Sequence, residues 1–355
     1  MTTAKAFSNP ANQLEGLSLQ GGWTVGPLEV RAANSTGGNF STSYRLKNKD
    51  GRGAYLKALD LTTAFASGGD FTRVVQSVTE HFNFERDMLA FCEQKRMDRV
   101  VRAMDSGTIV VDNSPMGKVP YLIFEEADRD IRSQMDKPGQ DSQLAWKLRS
   151  LHHISVGLKQ LHGSDIAHQD VKPSNVFIFR AEAENRISKI GDLGRVSKIG
   201  LYSPFDVLEW PGDRHYAPPE IQFSFIHPDF NIRRIGADVY LLGSMISFLL
   251  TRTTAVASLF RSLPSQFLPG HWSGSFDDVL PHLQNAFAQT AGEFATQIPK
   301  SLELELLPIY RYLCEPDPRK RGYPGVPMNK ISLERIVTRL DVIARKAEVG
   351  KYGVT

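Results

Sequence analysis

Residues 166–179 read Ile-Ala-His-Gln-Asp-Val-Lys-Pro-Ser-Asn-Val-Phe-Ile-Phe, and no other stretch constrains the chain as much. A polar loop carrying His168, Asp170, Lys172 and Asn175 is clamped between two apolar runs, which is how reactive groups are held on a rigid scaffold. An Asp, a Lys two positions on and an Asn three further put a proton acceptor, a cation and a metal-ligating amide within one short turn. Phosphoryl transfer asks for these parts: a carboxylate to receive the hydroxyl proton, positive charge beside the moving phosphoryl group, and an oxygen ligand for Mg²⁺. Gly191-Asp192-Leu193-Gly194 follows, with the second carboxylate that a hard cation needs.

The rest of the composition narrows the class. At 355 residues, 41% hydrophobic and 23% charged, the chain is long enough for a sizeable core and reads as globular. Forty-two basic residues against 39 acidic give a net charge of only +3 with no Lys/Arg block, so neither a nucleic acid nor a membrane surface is expected as partner. Cys92 and Cys314 make neither a disulfide framework nor a zinc site. The N-terminus lacks an apolar signal core, and the longest apolar stretch, Val239 to Leu250, is too short to span a bilayer. The expectation is a soluble, cytoplasmic protein with residues 1–22 as a polar leader.

Two turn signals, Asn34 to Asn39 and Asn48-Lys49-Asp50-Gly51, break residues 28–61 into three strands. A helix is expected over about 71–91, where Phe71, Val75, Val78, Phe82 and Leu89 form a stripe. Glu85 falls on that stripe, and a carboxylate there costs roughly several kcal/mol unless a cation meets it. Lys57, on the third strand, is the natural partner. Strands are expected over 100–111 and 121–124, and an amphipathic helix over 144–161. His152, His153, His162 and His168 lack metal-ligand spacing. Residues 239–250 form a helix apolar on most sides, hence central, with Asp238 as its N-cap. Residues 251–300 alternate helix-like pieces with loops, and Ser332 is expected to cap a last helix.

At this point the chain resembles the eukaryotic-type serine/threonine protein kinases. Their catalytic loop reads H-R-D-L-K-x-x-N and their metal motif D-F-G, against H-Q-D-V-K-P-S-N and D-L-G here. The resemblance extends to Gly212-Asp213-Arg214-His215-Tyr216-Ala217-Pro218-Pro219-Glu220, similar to the end of an activation segment, to Asp238-Val239-Tyr240-Leu241-Leu242-Gly243, and to Asp317-Pro318-Arg319-Lys320-Arg321. It implies an α+β, bilobal fold: a small antiparallel-sheet N-lobe with one long helix and hinge over 23–127, a larger helical C-lobe over 128–347, a tail over 348–355, and a cleft between the lobes.

It further implies ATP and Mg²⁺ as cofactors and a protein as substrate. Asp170 would be the base, Lys172 would neutralise phosphoryl charge, and Asn175 and Asp192 would hold Mg²⁺. Lys57 would hold the α and β phosphates and Glu85 would fix Lys57. Gly37 and Gly38 would lie over the phosphates, although only one of the three glycine-loop positions keeps its glycine. Glu125 and Ala127 would contact adenine from the hinge beside a Phe124 gatekeeper. His168 would pack under the catalytic loop, Asp238 would hold that loop's backbone, and Arg321 would pair with Glu220. Gln169 replaces the arginine that pairs with an activation-loop phosphate, so phosphorylation of Ser197 or Ser203 is expected not to be obligatory. Asp213 stands where serine/threonine kinases carry Thr. The loosened motifs and compact, tailless build look bacterial. Two other readings stay open, a pseudokinase or nucleotide-binding scaffold, and a small-molecule kinase of the aminoglycoside or choline type.

Overall fold

The computed structural model describes all residues except 1–8, 30–39, 67–69, 112–116, 138–143, 181–185, 207, 209, 325–329 and 353–355. The chain divides into two compact units, residues 1–96 with 101–127, and residues 97–100 with 128–355. Gly37 and Gly38, with the rest of the expected phosphate-binding turn up to Asn39, lie outside the described residues.

The first unit is an antiparallel sheet of five strands: β1 (Trp23–Leu28), β2 (Ser41–Asn48), β3 (Gly53–Leu59), β4 (Ala103–Val110) and β5 (Lys118–Glu125), in the order β1-β2-β3-β5-β4. Asn48 shapes the β2–β3 turn, its Oδ1 accepting from Asp50 N (3.0 Å) and Arg52 N (2.8 Å). Gly51 supplies the positive φ of 77° that the turn requires. Tyr44, Leu46, Ala54, Leu56 and Ile123 put their side chains into one dry core at 0–1% exposure. Between β3 and β4 come α1 (Leu61–Ala66) and α2 (Phe71–Gln94), the latter capped by Asp70, whose side chain accepts from Arg73 N at 2.9 Å.

Residues 9–22 correct the expectation of a flexible leader. Leu14 is fully buried in the sheet's core with Ala11, and the hydroxyls of Thr42 (2.9 Å) and Tyr44 (2.6 Å) both donate to the Ala11 carbonyl. Asn9 Nδ2 donates to Asp60 Oδ2 at 2.8 Å. Backbone and side chains share the attachment, the Ala11 carbonyl accepting two hydroxyls while Leu14 and Leu19 are buried and Asn9 reaches Asp60.

The second unit is built on helices. It contains β6 (Arg129–Asp130), α3 (Ile131–Met135), α4 (Leu144–His162), β7 (Ile166–Ala167), β8 (Val176–Arg180), β9 (Arg186–Ile190), β10 (Ser197–Lys198), α5 (Pro219–Gln222), α6 (Gly236–Thr251), α7 (Ala255–Ser262), α8 (Phe276–Gln297), α9 (Lys300–Leu313) and α10 (Glu334–Glu348). A turn of π-helix, Asn231–Ile235, runs into α6. The combined stretch, Asn231–Thr251, is longer than the sequence suggested and apolar enough to cross a bilayer by length and composition, yet 83% of its apolar window is buried. It is the core helix that α4, α7, α8 and α9 pack around.

Helical pieces alternate with loops over 251–300 as expected, while the cap of the last helix is corrected. Residues 276–297 form one 22-residue helix despite Pro281, because Ser275 and Asp278 make a reciprocal capping box and Phe276, Val279, Leu283, Phe287 and Phe294 keep one face buried. The tail is anchored at Tyr352, which joins the core and donates to Glu305 Oε1 at 2.9 Å. Ser332 contributes only a 3.4 Å contact from Glu334 N, and Leu333 occupies the cap position of α10. The fold is α+β, with an antiparallel-sheet N-terminal part and a helical C-terminal part.

Candidate active site

In the first unit, Lys57 sits on β3 between Ser43 of β2 and Leu122 of β5. Its Nζ lies 2.8 Å from Glu85 Oε1 and 2.9 Å from Oε2, both bonds crossing from sheet to helix. Glu85 is 5% exposed, held by the turn of α2 that also buries Met88 and Leu89, with Val78 and Phe82 against Leu59. The pair therefore offsets a carboxylate that would otherwise be buried alone. Phe124 is buried at the end of β5. The Glu125 N–H donates to the Arg102 carbonyl (3.2 Å) and its side chain accepts from Arg102 N (2.9 Å). Ala127 ends this unit, half-buried.

In the second unit the catalytic loop is fixed from below. Asp238, inside α6 and fully buried, accepts from His168 N (2.6 Å) and Gln169 N (2.7 Å). The expected N-cap role is corrected: α6 begins at Gly236 and runs on from the π turn, so Asp238 is free to serve the loop rather than its own helix. His162, at the end of α4, places Nε2 3.0 Å from the same carboxylate. Sequence reading had no signal for this contact beyond the histidine itself. His168 is fully buried, its Nε2 3.1 Å from the Gly191 carbonyl.

These anchors let Gln169 take a positive φ of 67° and turn Asp170 toward its neighbours. Asp170 Oδ1 accepts from Asp213 N (2.9 Å), and Oδ2 accepts from Asn175 Nδ2 (3.0 Å) and pairs with Lys172 Nζ (3.2 Å). Burial pushes the Asp170 carboxyl above its ordinary value, against the opposing pull of Lys172. Burial pulls the Lys172 ammonium down, but Asp170 and Asp213 overcome it and hold it above the usual lysine range. Burial likewise raises Asp213, and the His215 N–H and Lys172 more than reverse that, leaving it below the ordinary carboxylate value.

Asn175 spends its amide nitrogen on Asp170, at 2.9 Å to the carbonyl and 3.0 Å to Oδ2, which leaves the amide oxygen as the ligand atom. Gly191 N donates to the Asn175 carbonyl (2.9 Å), bringing Asp192, at φ 60°, beside the loop. An amide oxygen and a carboxylate suit Mg²⁺, which takes few protein ligands and completes its shell with water and phosphate oxygens. No cluster of three His, Cys, Asp or Glu able to hold a metal by itself occurs among the described residues. At the far end of the segment Arg321 and Glu220 pair through two parallel bonds, 2.6 and 2.7 Å, both side chains almost wholly buried.

The scan against protein-family models matches the protein kinase domain over residues 38–323. The chain belongs to the protein kinase domain family. Among curated relatives it is 28% identical over 240 residues to Wee1-like protein kinase 2-B of Xenopus laevis, covering 63% of this chain and 37% of that protein. It is 28% identical over 184 residues to mitogen-activated protein kinase spm1 of Schizosaccharomyces pombe, 51% of this chain and 40% of that one. It is also 25% identical over 209 residues to cell division control protein 2 homolog 3 of Trypanosoma brucei brucei, 57% and 64%. The chain thus spans little more than a third of the length of the Wee1-like relative. These relatives are eukaryotic and carry no support for a bacterial source.

Proposed function

We propose that the chain is a protein kinase that transfers the γ-phosphate of ATP to a protein hydroxyl, of serine or threonine. The observation that carries this reading is the Asp170, Lys172 and Asn175 constellation beside Asp192, held in place by Asp238. The family uses ATP with Mg²⁺. When bound, Mg²⁺ would neutralise phosphate charge, with Asn175 Oδ1 and the Asp192 carboxylate as its protein ligands.

Asp170 is the general base. Its buried, raised carboxyl is a better proton acceptor than an exposed one, and it orients the incoming hydroxyl before taking its proton. Lys172 offsets charge on the phosphoryl group in flight. Lys57 holds the α and β phosphates, and Glu85 keeps its ammonium from straying. Lys172 is the feature that favours serine or threonine as acceptor.

The activation segment is read as independent of phosphorylation. Gln169 Nε2 donates to the Arg195 carbonyl (2.6 Å) and Ser197 Oγ (2.7 Å), a neutral contact where a phosphate would need an arginine. Ser197 is fully buried, and Ser203, 3% exposed, donates to the Val196 carbonyl at 2.8 Å. Neither hydroxyl is presented to another enzyme in this fold.

Intact-mass spectrometry after incubation with ATP and Mg²⁺, beside Asp170→Ala, tests the reading. Phosphate adducts on wild type alone, mapped to Ser or Thr, are expected; adducts on Tyr would move the acceptor class. A second reading, a nucleotide-binding scaffold without transfer, draws on Asp213 competing for Lys172. It expects Mg²⁺-dependent nucleotide binding with no adduct on any added protein.

A further inference from the structure

Asp213, beside the catalytic loop, has no part in the transfer scheme above. Lys172 Nζ lies 3.2 Å from Asp170 Oδ2 and 3.2 Å from Asp213 Oδ2, so one ammonium serves two carboxylates. The arrangement is built into the backbone. The side chains of Lys172 and Asp213 are 4% and 9% exposed. Gly212 passes so close to the Gln169 carbonyl that an added Cβ would sit 2.2 Å from its oxygen, and this approach is what lets Asp213 N reach Asp170.

The two carboxylates hold Lys172 differently. Asp170 Oδ2 already accepts from Asn175 Nδ2, and Asp170 is the group that must meet the acceptor hydroxyl. Asp213 Oδ2 faces Lys172, while its other oxygen accepts from His215 N (3.0 Å) and lies 3.1 Å from His215 Nδ1. The His215 contacts fix the carboxylate plane, so Oδ2 is aimed at the ammonium. A lysine is a point charge on a flexible four-carbon stem, and only its counter-charges can aim it.

We infer that Asp213 is a positioning residue for phosphoryl transfer, acting through Lys172: it holds the ammonium beside the transfer path by charge, where a neutral side chain could only hydrogen-bond it. This rests on the kinase reading. In the transfer step the acceptor O–H breaks, its proton goes to Asp170, the acceptor oxygen bonds phosphorus, and the bond to the bridging oxygen breaks to release ADP. The Asp213 carboxylate touches none of these atoms, only its backbone N–H reaching Asp170 Oδ1, and it stays ionised throughout.

The test compares wild type, Asp213→Asn, Lys172→Ala and the double variant, with ATP, Mg²⁺ and dephosphorylated casein as acceptor. Asp213→Asn should lower kcat about 10- to 100-fold, the size of one charge-assisted hydrogen bond, with KM for ATP within about twofold. In the Lys172→Ala background the same change should cost little more, because the group it acts through is gone. A second readout is independent of turnover: acylation of Lys172 by acetic anhydride, mapped by mass spectrometry, should be severalfold faster in Asp213→Asn. Additive losses in kcat, or unchanged Lys172 labelling in a folded Asp213→Asn protein, would overturn the inference while leaving the kinase reading intact. No transfer by wild type, with every variant folded and binding ATP, would instead overturn the kinase reading and with it the role of Asp213 in transfer.

Discussion

Two buried charge clusters in the second unit differ in their balance. At Arg321 one guanidinium meets one carboxylate, and its remaining donors reach the carbonyls of Gly236 (2.9 Å) and Glu315 (3.0 Å), with the Tyr240 ring 5.0 Å away. At Lys172 one ammonium meets two carboxylates, leaving a formal charge of −1 in a site that water barely enters. The complemented cluster fastens segments 101 residues apart in sequence. The uncomplemented one holds charge that the fold does not need and that chemistry can use. Balance in a buried cluster is thus a sign of structure, and imbalance a sign of function.

The largest expected effect breaks the balanced side. Arg321→Ala leaves Glu220 buried without a partner and should destabilise the second unit by about 3–5 kcal/mol, read as a fall in the denaturation midpoint. Reversing the pair, Arg321→Glu with Glu220→Arg, should recover only part of this, because the carbonyls of Gly236 and Glu315 would then face a carboxylate. A midpoint for Arg321→Ala equal to wild type would remove the distinction between the clusters.

A buried group among mainly cationic neighbours gives the next effect. His153 is held by burial at about 3, and its Nδ1 lies 3.2 Å from Ser188 N. Its folded value is depressed below the unfolded histidine value, so the unfolded chain binds a proton that the fold refuses. Stability is therefore highest above about pH 6.5 and falls as pH drops toward 3, by up to about 1.4 kcal/mol per pH unit from this group. Urea midpoints measured from pH 7 to 4.5 should fall less steeply for His153→Gln.

The smallest effect lies at the surface. Arg149 on α4 reaches Asp341 (2.7 Å) and Glu348 (2.8 Å) on α10, all three side chains at least a fifth exposed. The Arg149 bonds hold Glu348 below its ordinary value; at Asp341 burial opposes, and the bonds to Arg149 and Arg345 prevail. Their contribution is present above the unfolded carboxylate range and is lost as pH falls through the folded values. Solvent screening limits it to about 1 kcal/mol, so Arg149→Ala should shift the midpoint slightly at pH 7 and by less as pH falls below the unfolded carboxylate range.

Much of this was legible in the sequence because charge on an apolar stripe announces its partner. Glu85 demanded a cation and Lys57 stood on the right strand; Arg321 and Glu220 were identifiable from family motifs 101 residues apart. What escaped reading lay in contacts without a periodic signature. Residues 9–22 look like a leader because isolated anchors, the Leu14 side chain and the Ala11 carbonyl, fix them without a periodic apolar stripe. α8 was legible only as one of the helix-like pieces of 251–300; its full length rests on a capping box and a buried face that carry it past Pro281. Asp213 was visible as a departure, but its grip on Lys172 depends on Gly212 pressing against Gln169, a contact that no spacing reveals.

The most direct test of the central claim measures stability and turnover together in Asp170→Asn. In wild type the Asp170 carboxyl is raised by burial, so its ionisation works against the fold; stability from this group is full below the unfolded carboxylate value and is lost as pH rises from there through the raised folded value. Removing its charge leaves Lys172 paired with Asp213 alone, a balanced cluster. The account predicts a denaturation midpoint at pH 7 within about 1 kcal/mol of wild type or above it, with turnover reduced about 10²- to 10⁴-fold. A protein destabilised as severely as Arg321→Ala, or one that still transfers phosphate at the wild-type rate, would contradict it.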